Sequence, residues 1–251
     1  MKRKLVIGNW KMNGGRQANA QLLADLLPAL RPLDGVEMAL CPPYPYLVQV
    51  AELLAGSTLK LGAQSLSRFD QGAHTGEVSG QMLREFGCQY VLVGHSERRS
   101  LYGEDDLLVA EKFAAALQAG LLPVLCVGES LAQRRNGETE AIISVQIRAL
   151  LDLIGIQGLT SGVIAYEPVW AIGSGETATP AQAQAVHAHI RDLLAEQEPA
   201  LAAATPIIYG GSVKADNAGA LFAQADIDGG LIGGASLDAA AFTAICRAAR
   251  D

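Results

Sequence analysis

The segment that decides the fold is residues 162–197, which reads "GVIAYEPVWAIGSGETATPAQAQAVHAHIRDLLAEQ". It opens with a short apolar run that lacks the alternation of a half-exposed strand, a pattern typical of a strand buried on both faces. It closes with a helical pattern over 179–197, in which Thr179 is an N-cap candidate and Pro180 takes the first helical position. The segment therefore predicts one strand–loop–helix unit.

The same unit recurs along the whole chain. Apolar runs rich in Val, Ile and Leu occur at 4–10, 36–42, 58–64, 90–95, 122–128, 162–167, 206–211 and 228–234. Helical patterns separate them, and no linker or change in composition divides the chain, so we expect a single domain over residues 1–251. A right-handed succession of eight such units favours an α/β fold of the closed (β/α)₈ barrel type, with a parallel eight-stranded sheet. The count alone leaves an open doubly wound sheet as the alternative.

Composition narrows the classes of function. The chain has 251 residues, is 50% hydrophobic and carries a net charge of -7, with Lys and Arg scattered in ones and twos. This disfavours a nucleic-acid partner, which needs a concentrated basic face. The first apolar run stops after Ile7, too short for a signal peptide, and no run approaches the roughly 20 residues of a membrane span. Four widely spaced cysteines, with no CxxC pair, predict a reducing cytoplasmic location without membrane association.

Chemistry in such a barrel is expected at the carboxyl ends of the strands. The first strand ends in Asn9–Trp10–Lys11, the fourth in His95 and the sixth in Glu167. A carboxylate, an imidazole and a cation together supply a base, an electrophile and charge stabilisation. His95 directly precedes a short predicted helix that begins at Ser96, and the positive end of a helix favours a neutral imidazole. Each of these residues could instead be structural, Glu167 as a solvated loop acid and His95 as a core histidine.

Glycine-rich turns follow the last two strands, Gly210–Gly211–Ser212 and Gly233–Gly234. Backbone N–H groups exposed at such turns hold phosphate in many barrels, and they reconcile an anionic ligand with a net-acidic protein. The alternative is that these glycines only permit tight turns.

Three other patterns do not indicate a site. "GSGETA" (173–178) fits a dinucleotide-binding pattern, but residues 168–172 separate it from its strand. His187 and His189 are two apart on a helix and point to different faces, and no other cluster has ligand spacing, so we expect no metal. "ERR" (97–99) is interpreted as a salt-bridged structural patch.

Taken together, the motifs resemble one family. They are "GNWKMN" (8–13), "GAQ" (62–64), "GAHTGEVS" (72–79), "VGHSERR" (93–99), "CVGE" (126–129), "AYEPVWAIG" (165–173), "YGGSV" (209–213) and "GGASL" (233–237). In this order, over essentially the whole chain, they are similar to the signatures of triosephosphate isomerases, whose fold is the TIM barrel. The resemblance implies a cofactor-independent aldose–ketose isomerase of glycolysis and gluconeogenesis. Its substrates would be dihydroxyacetone phosphate and D-glyceraldehyde 3-phosphate, interconverted by proton transfer through an enediol(ate).

The resemblance also assigns roles to residues. Glu167 matches the catalytic base, His95 the neutral electrophile, Lys11 the cation that faces the developing charge, Asn9 a side chain in contact with substrate, and Glu97 a partner of Lys11. Backbone N–H groups of four residues would hold phosphate: Gly173, Ser212, Gly233 and Gly234. A lid would close over the site, formed by Pro168, Val169, Trp170, Ala171 and Ile172.

The resemblance further implies a homodimer. The loop over 67–80 looks like the family's projecting loop, whose tip, here Thr75, would reach the neighbouring subunit's site near Asn9 and Lys11. The chain departs from the family pattern at Ser65, and at Ser174 and Glu176 within the lid's far end.

Two other functions remain open at this point. A different phosphosugar isomerase or epimerase on the same barrel would keep the phosphate loops without needing Lys11, His95 and Glu167 together. A catalytically silent phosphosugar-binding or assembly protein would tolerate loss of the base.

Overall fold

The computed structural model describes residues 4–31, 33–172 and 177–250. Eight parallel strands form one closed barrel in chain order, and β1 pairs with both β2 and β8. The strands are β1 Lys4–Asn9, β2 Val36–Cys41, β3 Lys60–Ala63, β4 Cys88–Val93, β5 Leu122–Val127, β6 Val163–Tyr166, β7 Ile207–Tyr209 and β8 Gly229–Ile232. The predicted (β/α)₈ barrel is confirmed, and closure of the sheet excludes the open doubly wound alternative.

Helices surround the barrel and follow each strand in turn. They are α1 Arg16–Leu30, α2 Leu47–Leu53, α3 Gly80–Glu85, α4 Ser96–Tyr102, α5 Asp106–Gln118, α6 Leu131–Arg135, α7 Thr139–Ile154, α8 Pro180–Ala195, α9 Pro199–Ala204, α10 Ala218–Phe222 and α11 Ala239–Ala248. Short 3₁₀ turns span Tyr44–Tyr46, Ile156–Ser161, Val169–Ala171 and Gly234–Leu237. None of the helices in the described part of the chain is long and apolar enough to cross a membrane.

Two apolar layers, one inside the barrel and one outside it, explain why apolar and polar residues do not alternate along the strands. In β1, Leu5 and Ile7 belong to the cluster inside the barrel, whereas Val6 packs in the outer layer between the barrel and its helices. Successive side chains of a strand point to opposite faces, and here both faces are buried. The apolar runs of the sequence are thus the signature of a sheet covered on both sides.

The strand and the helix predicted within residues 162–197 both form. Thr179 caps α8 by accepting a hydrogen bond from the N–H of Gln182, whose side chain completes a capping box, and Pro180 is the first helical residue. The strand itself, Val163–Tyr166, is shorter than the predicted run 162–167 by one residue at each end. Glu167 follows it directly and still donates its N–H to the carbonyl of Val127 on β5.

The 97–99 segment is salt-bridged as predicted. Arg98 Nε lies 2.6 Å from Glu104 Oε1, and Arg99 Nη1 lies 2.5 Å from Asp106 Oδ1. Lys112 Nζ lies 2.6 Å from the same Glu104 oxygen. These ion pairs fasten α4 to the start of α5 directly behind His95.

His187 is a structural residue of α8. Its ring is fully buried against Tyr166 and Tyr209, and Nδ1 lies 3.1 Å from the carbonyl oxygen of Asp226. Burial lowers the pKa of His187 from about 6.5 to about 4. His189 instead contacts Ser144 at 2.9 Å, so the two histidines serve different contacts.

We expect His187 to make the protein less stable in weak acid. The folded state keeps the imidazole neutral down to pH about 4, while the unfolded chain takes up a proton below about 6.5. The free energy of unfolding therefore falls as the pH drops through this window, by about 3 kcal/mol from this group. His187→Phe should remove that part of the fall. Urea unfolding at several pH values and one fixed protein concentration measures it.

The matched control is His189→Phe, which replaces a partly exposed ring on the same helix and shows whether any change in pH dependence is specific to the buried ring of His187. If the free energy of unfolding changed with pH in the same way in wild type and His187→Phe, His187 would not be the source of the loss of stability in acid.

Candidate active site

The carboxyl ends of the strands surround a cavity of about 410 Å³. The cavity brings together the candidate residues that the sequence placed on five different strand ends. Its lining consists of Asn9, Trp10, Lys11, Asn13, His95, Glu167, Ile172, Gly210, Gly211, Ser212, Val213, Lys214, Leu231, Gly233, Gly234 and Ala235.

Glu167 is held at the cavity's edge and is only 1% exposed. Its backbone N–H donates to the carbonyl of Val127 at 2.7 Å, which fixes the main chain to the neighbouring strand end. The N–H of Ser96 donates to Oε2 at 2.8 Å. Oε1 lies 3.0 Å from His95 Nε2 but accepts no well-aligned hydrogen bond from the described residues. One oxygen is thus anchored and the other is available to take a proton.

The geometry of His95 identifies its tautomer. The ring is the N-cap of α4, and Nδ1 accepts the N–H of Glu97 at 3.2 Å. An accepting Nδ1 carries a lone pair, so the proton of the neutral ring is on Nε2, which faces Glu167 and the cavity. In this arrangement His95 can donate a hydrogen bond to a substrate oxygen.

The two side chains shift each other's pKa. Burial is the largest single effect and acts to lower the pKa of His95, but the charge and hydrogen bonding of Glu167, together with the charge of Glu97, hold that pKa above its ordinary value. Burial acts to raise the pKa of Glu167, while His95 and the N–H of Ser96 lower it below its usual range. The increase in the pKa of His95 depends on the Glu167 carboxylate lying beside it. That increase is lost when the carboxylate turns to another partner.

Lys11 also lines the cavity and has a strained backbone conformation. Its φ is +52°, a left-handed region that costs a non-glycine residue roughly 1–2 kcal/mol. Both of its backbone polar groups are held, since its N–H donates to Asn9 Oδ1 at 3.0 Å and its carbonyl accepts from Gln64 Nε2 at 2.8 Å. Nζ lies 2.5 Å from Glu97 Oε1. These contacts point the ammonium group towards the cavity and pair it with the predicted partner.

The two glycine turns differ in what they do. A Cβ at Gly210 would lie 2.8 Å from Glu167 Cγ, and one at Gly211 would lie 2.1 Å from the Tyr209 hydroxyl. Glycine is therefore required after β7 to leave room for these side chains. Gly234 has open space around it and begins the 3₁₀ turn Gly234–Leu237, and a Cβ on the preceding Gly233 would lie 3.5 Å from Lys11 Cε. The turn after β8 presents its backbone to the cavity, as a phosphate site needs.

The near end of the predicted lid is firmly attached. Val169 donates its N–H to the carbonyl of Glu129 at 3.2 Å, and Trp170 Nε1 donates to Glu129 Oε1 at 2.9 Å. Pro168 precedes the 3₁₀ turn Val169–Ala171, and Ile172 lines the cavity. Gly173, Ser174 and Glu176 lie outside the described residues.

Sequence reasoning missed Gln64, Glu129 and the N–H of Ser96. Gln64 joins the backbone of Lys11 to that of Cys41, and Glu129 also accepts from the Tyr166 hydroxyl at 3.2 Å. The available signal was position, since Gln64 directly follows β3 and Glu129 lies two residues beyond the end of β5. Applying the strand-end rule to these two strands would have found both side chains. The Ser96 N–H carries no side-chain signal.

Comparison with known proteins agrees with this geometry. A family model described as triosephosphate isomerase matches residues 4–249. A triosephosphate isomerase from Thiobacillus denitrificans is 61% identical, with 99% of both chains covered. One from Dechloromonas aromatica is 58% identical over 99% of this chain and 100% of the relative, and one from Nitrosomonas eutropha is 56% identical over 98% and 97%. The chain thus belongs, over nearly its entire length, to the triosephosphate isomerase family.

Proposed function

We propose that Glu167, His95 and Lys11 carry out the triosephosphate isomerase reaction of this chain. Family membership gives the reaction, the interconversion of dihydroxyacetone phosphate and D-glyceraldehyde 3-phosphate, and decides against the two alternatives left open by the sequence. The observation that carries the residue assignment is the placement of Glu167 Oε1, 3.0 Å from His95 Nε2 in the same cavity as Lys11.

The geometry supports a proton path between these groups. Glu167 Oε1 takes the proton from one substrate carbon and returns it to the next, which needs a carboxylate with one free oxygen. His95 donates from Nε2 to the carbonyl oxygen, and the charge that develops there faces Lys11 Nζ. Asn9, 5% exposed at the cavity wall, holds Lys11 in place through its Oδ1 and offers its amide to the substrate. A cavity shared by these groups lets one bound triose reach all of them.

We assign the phosphate to the part of the cavity lined by Ser212, Gly233 and Gly234, whose backbone N–H groups would hold it. Gly173 is assigned to the same role by the family resemblance. Ile172 at the cavity lining and the attached segment 168–171 form the near part of a lid that excludes water from the enediolate.

Glu167→Asp should lower kcat by about a hundredfold, because the shorter side chain withdraws the carboxylate by about 1 Å or more from the reacting carbon. KM should change far less, since the phosphate contacts remain. A coupled assay with dihydroxyacetone phosphate on both proteins measures this. Equal turnover would refute the assignment of the base.

Glu167→Gln should lower the pKa of His95. The substitution removes the negative charge that raises this pKa and leaves the burial that lowers it. Imidazole NMR titration of both proteins measures the shift. Glu97→Gln is the control and should produce a smaller decrease, since Glu97 acts on His95 more weakly than Glu167 does. An unchanged or higher pKa in Glu167→Gln would contradict the coupling.

We also propose a homodimer with a cytoplasmic location. The loop over 67–80 is closed at its base by the N–H of Ser67, which donates to the carbonyl of Val78 at 2.7 Å, and Thr75 at its tip is exposed. Met12, next to Lys11, is 94% exposed, which suits burial by a partner subunit. The four cysteines are free and buried, as suits a reducing compartment.

Thr75→Arg should weaken dimerisation and activity together, because a bulky charge would be forced into the partner's surface beside its Lys11. Sedimentation analysis and the coupled assay, run over the same range of protein concentration, measure both. Thr160→Arg, at an exposed position in the turn leading into β6, is the matched control and should affect neither. A fully active monomer would exclude the proposed role of the loop.

A further inference from the structure

The turn after β5 is hydrogen-bonded to one side chain of α7. Gln146 Oε1 accepts the N–H of Gly128 at 2.8 Å, and Gln146 Nε2 donates to the carbonyl of the same glycine at 3.1 Å. The amide of Gln146 therefore binds Gly128 as a neighbouring strand would. Ile143 and Ile147 flank it on α7 and are fully buried, so the side chain projects from a rigid element.

Gly128 lies directly against the backbone of Glu167. A Cβ on Gly128 would approach the carbonyl oxygen of Glu167 to 1.8 Å, a distance that no side chain can adopt. On either side of Gly128, the carbonyl of Val127 accepts the N–H of Glu167 and the carbonyl of Glu129 accepts that of Val169. The position of the turn and the position of Glu167 are thus set together.

Packing alone does not hold this turn. A cavity of about 270 Å³ is bordered by Gly128, Gln146, Glu167 and Val169, behind the catalytic face. If the two bonds from Gln146 were lost, the turn would have space to shift, and Glu167 and Val169, whose N–H groups are hydrogen-bonded to it, would move with it.

We propose that Gln146 is a positioning residue for the base. Resting on the assignment of Glu167 as that base, the proposal gives α7 a part in the reaction, although Gln146 lies outside the cavity that receives the substrate. Gln146 holds Gly128 in place through two hydrogen bonds, and Gly128 in turn fixes the main chain of Glu167. The carboxylate is thereby kept within reach of the reacting carbon.

Gln146→Met tests the proposal, since it keeps the length of the side chain and removes both hydrogen bonds. We expect kcat to fall about tenfold, because sub-ångström to 1 Å displacement of a catalytic group is costly. KM and competitive inhibition by inorganic phosphate should stay within about twofold, since the phosphate turns follow other strands. With substrate deuterated at the reacting carbon, the isotope effect on kcat should rise, since proton transfer becomes slower.

The matched control is Gln184→Met. Gln184 also makes two hydrogen bonds to one residue, Asp226, which precedes β8 at the opposite end of the barrel from Glu167. Gln184→Met should lower the melting temperature about as much as Gln146→Met does, and it should leave kcat and the isotope effect as in wild type. Gln146→Glu serves if Gln146→Met does not fold; it keeps the acceptor for the Gly128 N–H, places a second acceptor against the Gly128 carbonyl in place of the donor, and should also lower kcat.

The possible outcomes separate this proposal from the assignment of the base. Impaired turnover in Glu167→Asp, together with wild-type kcat in the Gln146 variants, would overturn the role of Gln146 alone. An equal fall of kcat in Gln146→Met and Gln184→Met would also overturn that role, because the effect would then reflect a general loss of stability. Wild-type turnover in Glu167→Asp would overturn both assignments.

Discussion

The site depends on keeping one charged carboxylate buried. Moving an ionised carboxylate out of water costs several kcal/mol unless the surroundings replace its hydration. Few protein groups replace the water around Glu167: the Ser96 N–H donates to one oxygen, and His95 lies beside the other. A carboxylate surrounded by more donors would be more stable and less basic. The sparse set of contacts leaves Oε1 reactive, and it requires the donors that follow β4 and the acceptor that follows β6 to be held rigidly with respect to each other.

The barrel supplies that rigidity by bonding each strand end to the next. Glu167 is bonded to Val127 on one side, and on the other the N–H of Gly210 donates to the carbonyl of Tyr166 at 2.7 Å. Behind β4, the ion pairs of Arg98 and Arg99 fasten α4, whose N-terminus presents the Ser96 N–H. Residues far apart in sequence therefore share one framework, and small displacements in a turn such as 127–129 are transmitted to the carboxylate.

Much of the fold could be predicted from sequence because burial on both faces leaves an uninterrupted apolar run for each strand. The start of α8 was also predictable, since Thr179, Pro180 and Gln182 encode the cap locally. The catalytic candidates Lys11, His95 and Glu167 could be proposed because a barrel places strand ends together. The same rule applied to β3 and β5 would have indicated Gln64 and Glu129. No rule of this kind reveals Gln146, which acts from the middle of a helix.

The sequence by itself determined the order of strands and helices, the family and the identity of the polar residues at the strand ends. These follow from local propensities, periodicity and motifs, which are properties of short stretches of chain. Only the tertiary structure decided which nitrogen of His95 carries the proton, which oxygen of Glu167 is free, and why Gly128 and Gly210 must be glycine. Those properties depend on atoms brought within about 3 Å from distant parts of the chain, through hydrogen bonds and close contacts that no single segment encodes.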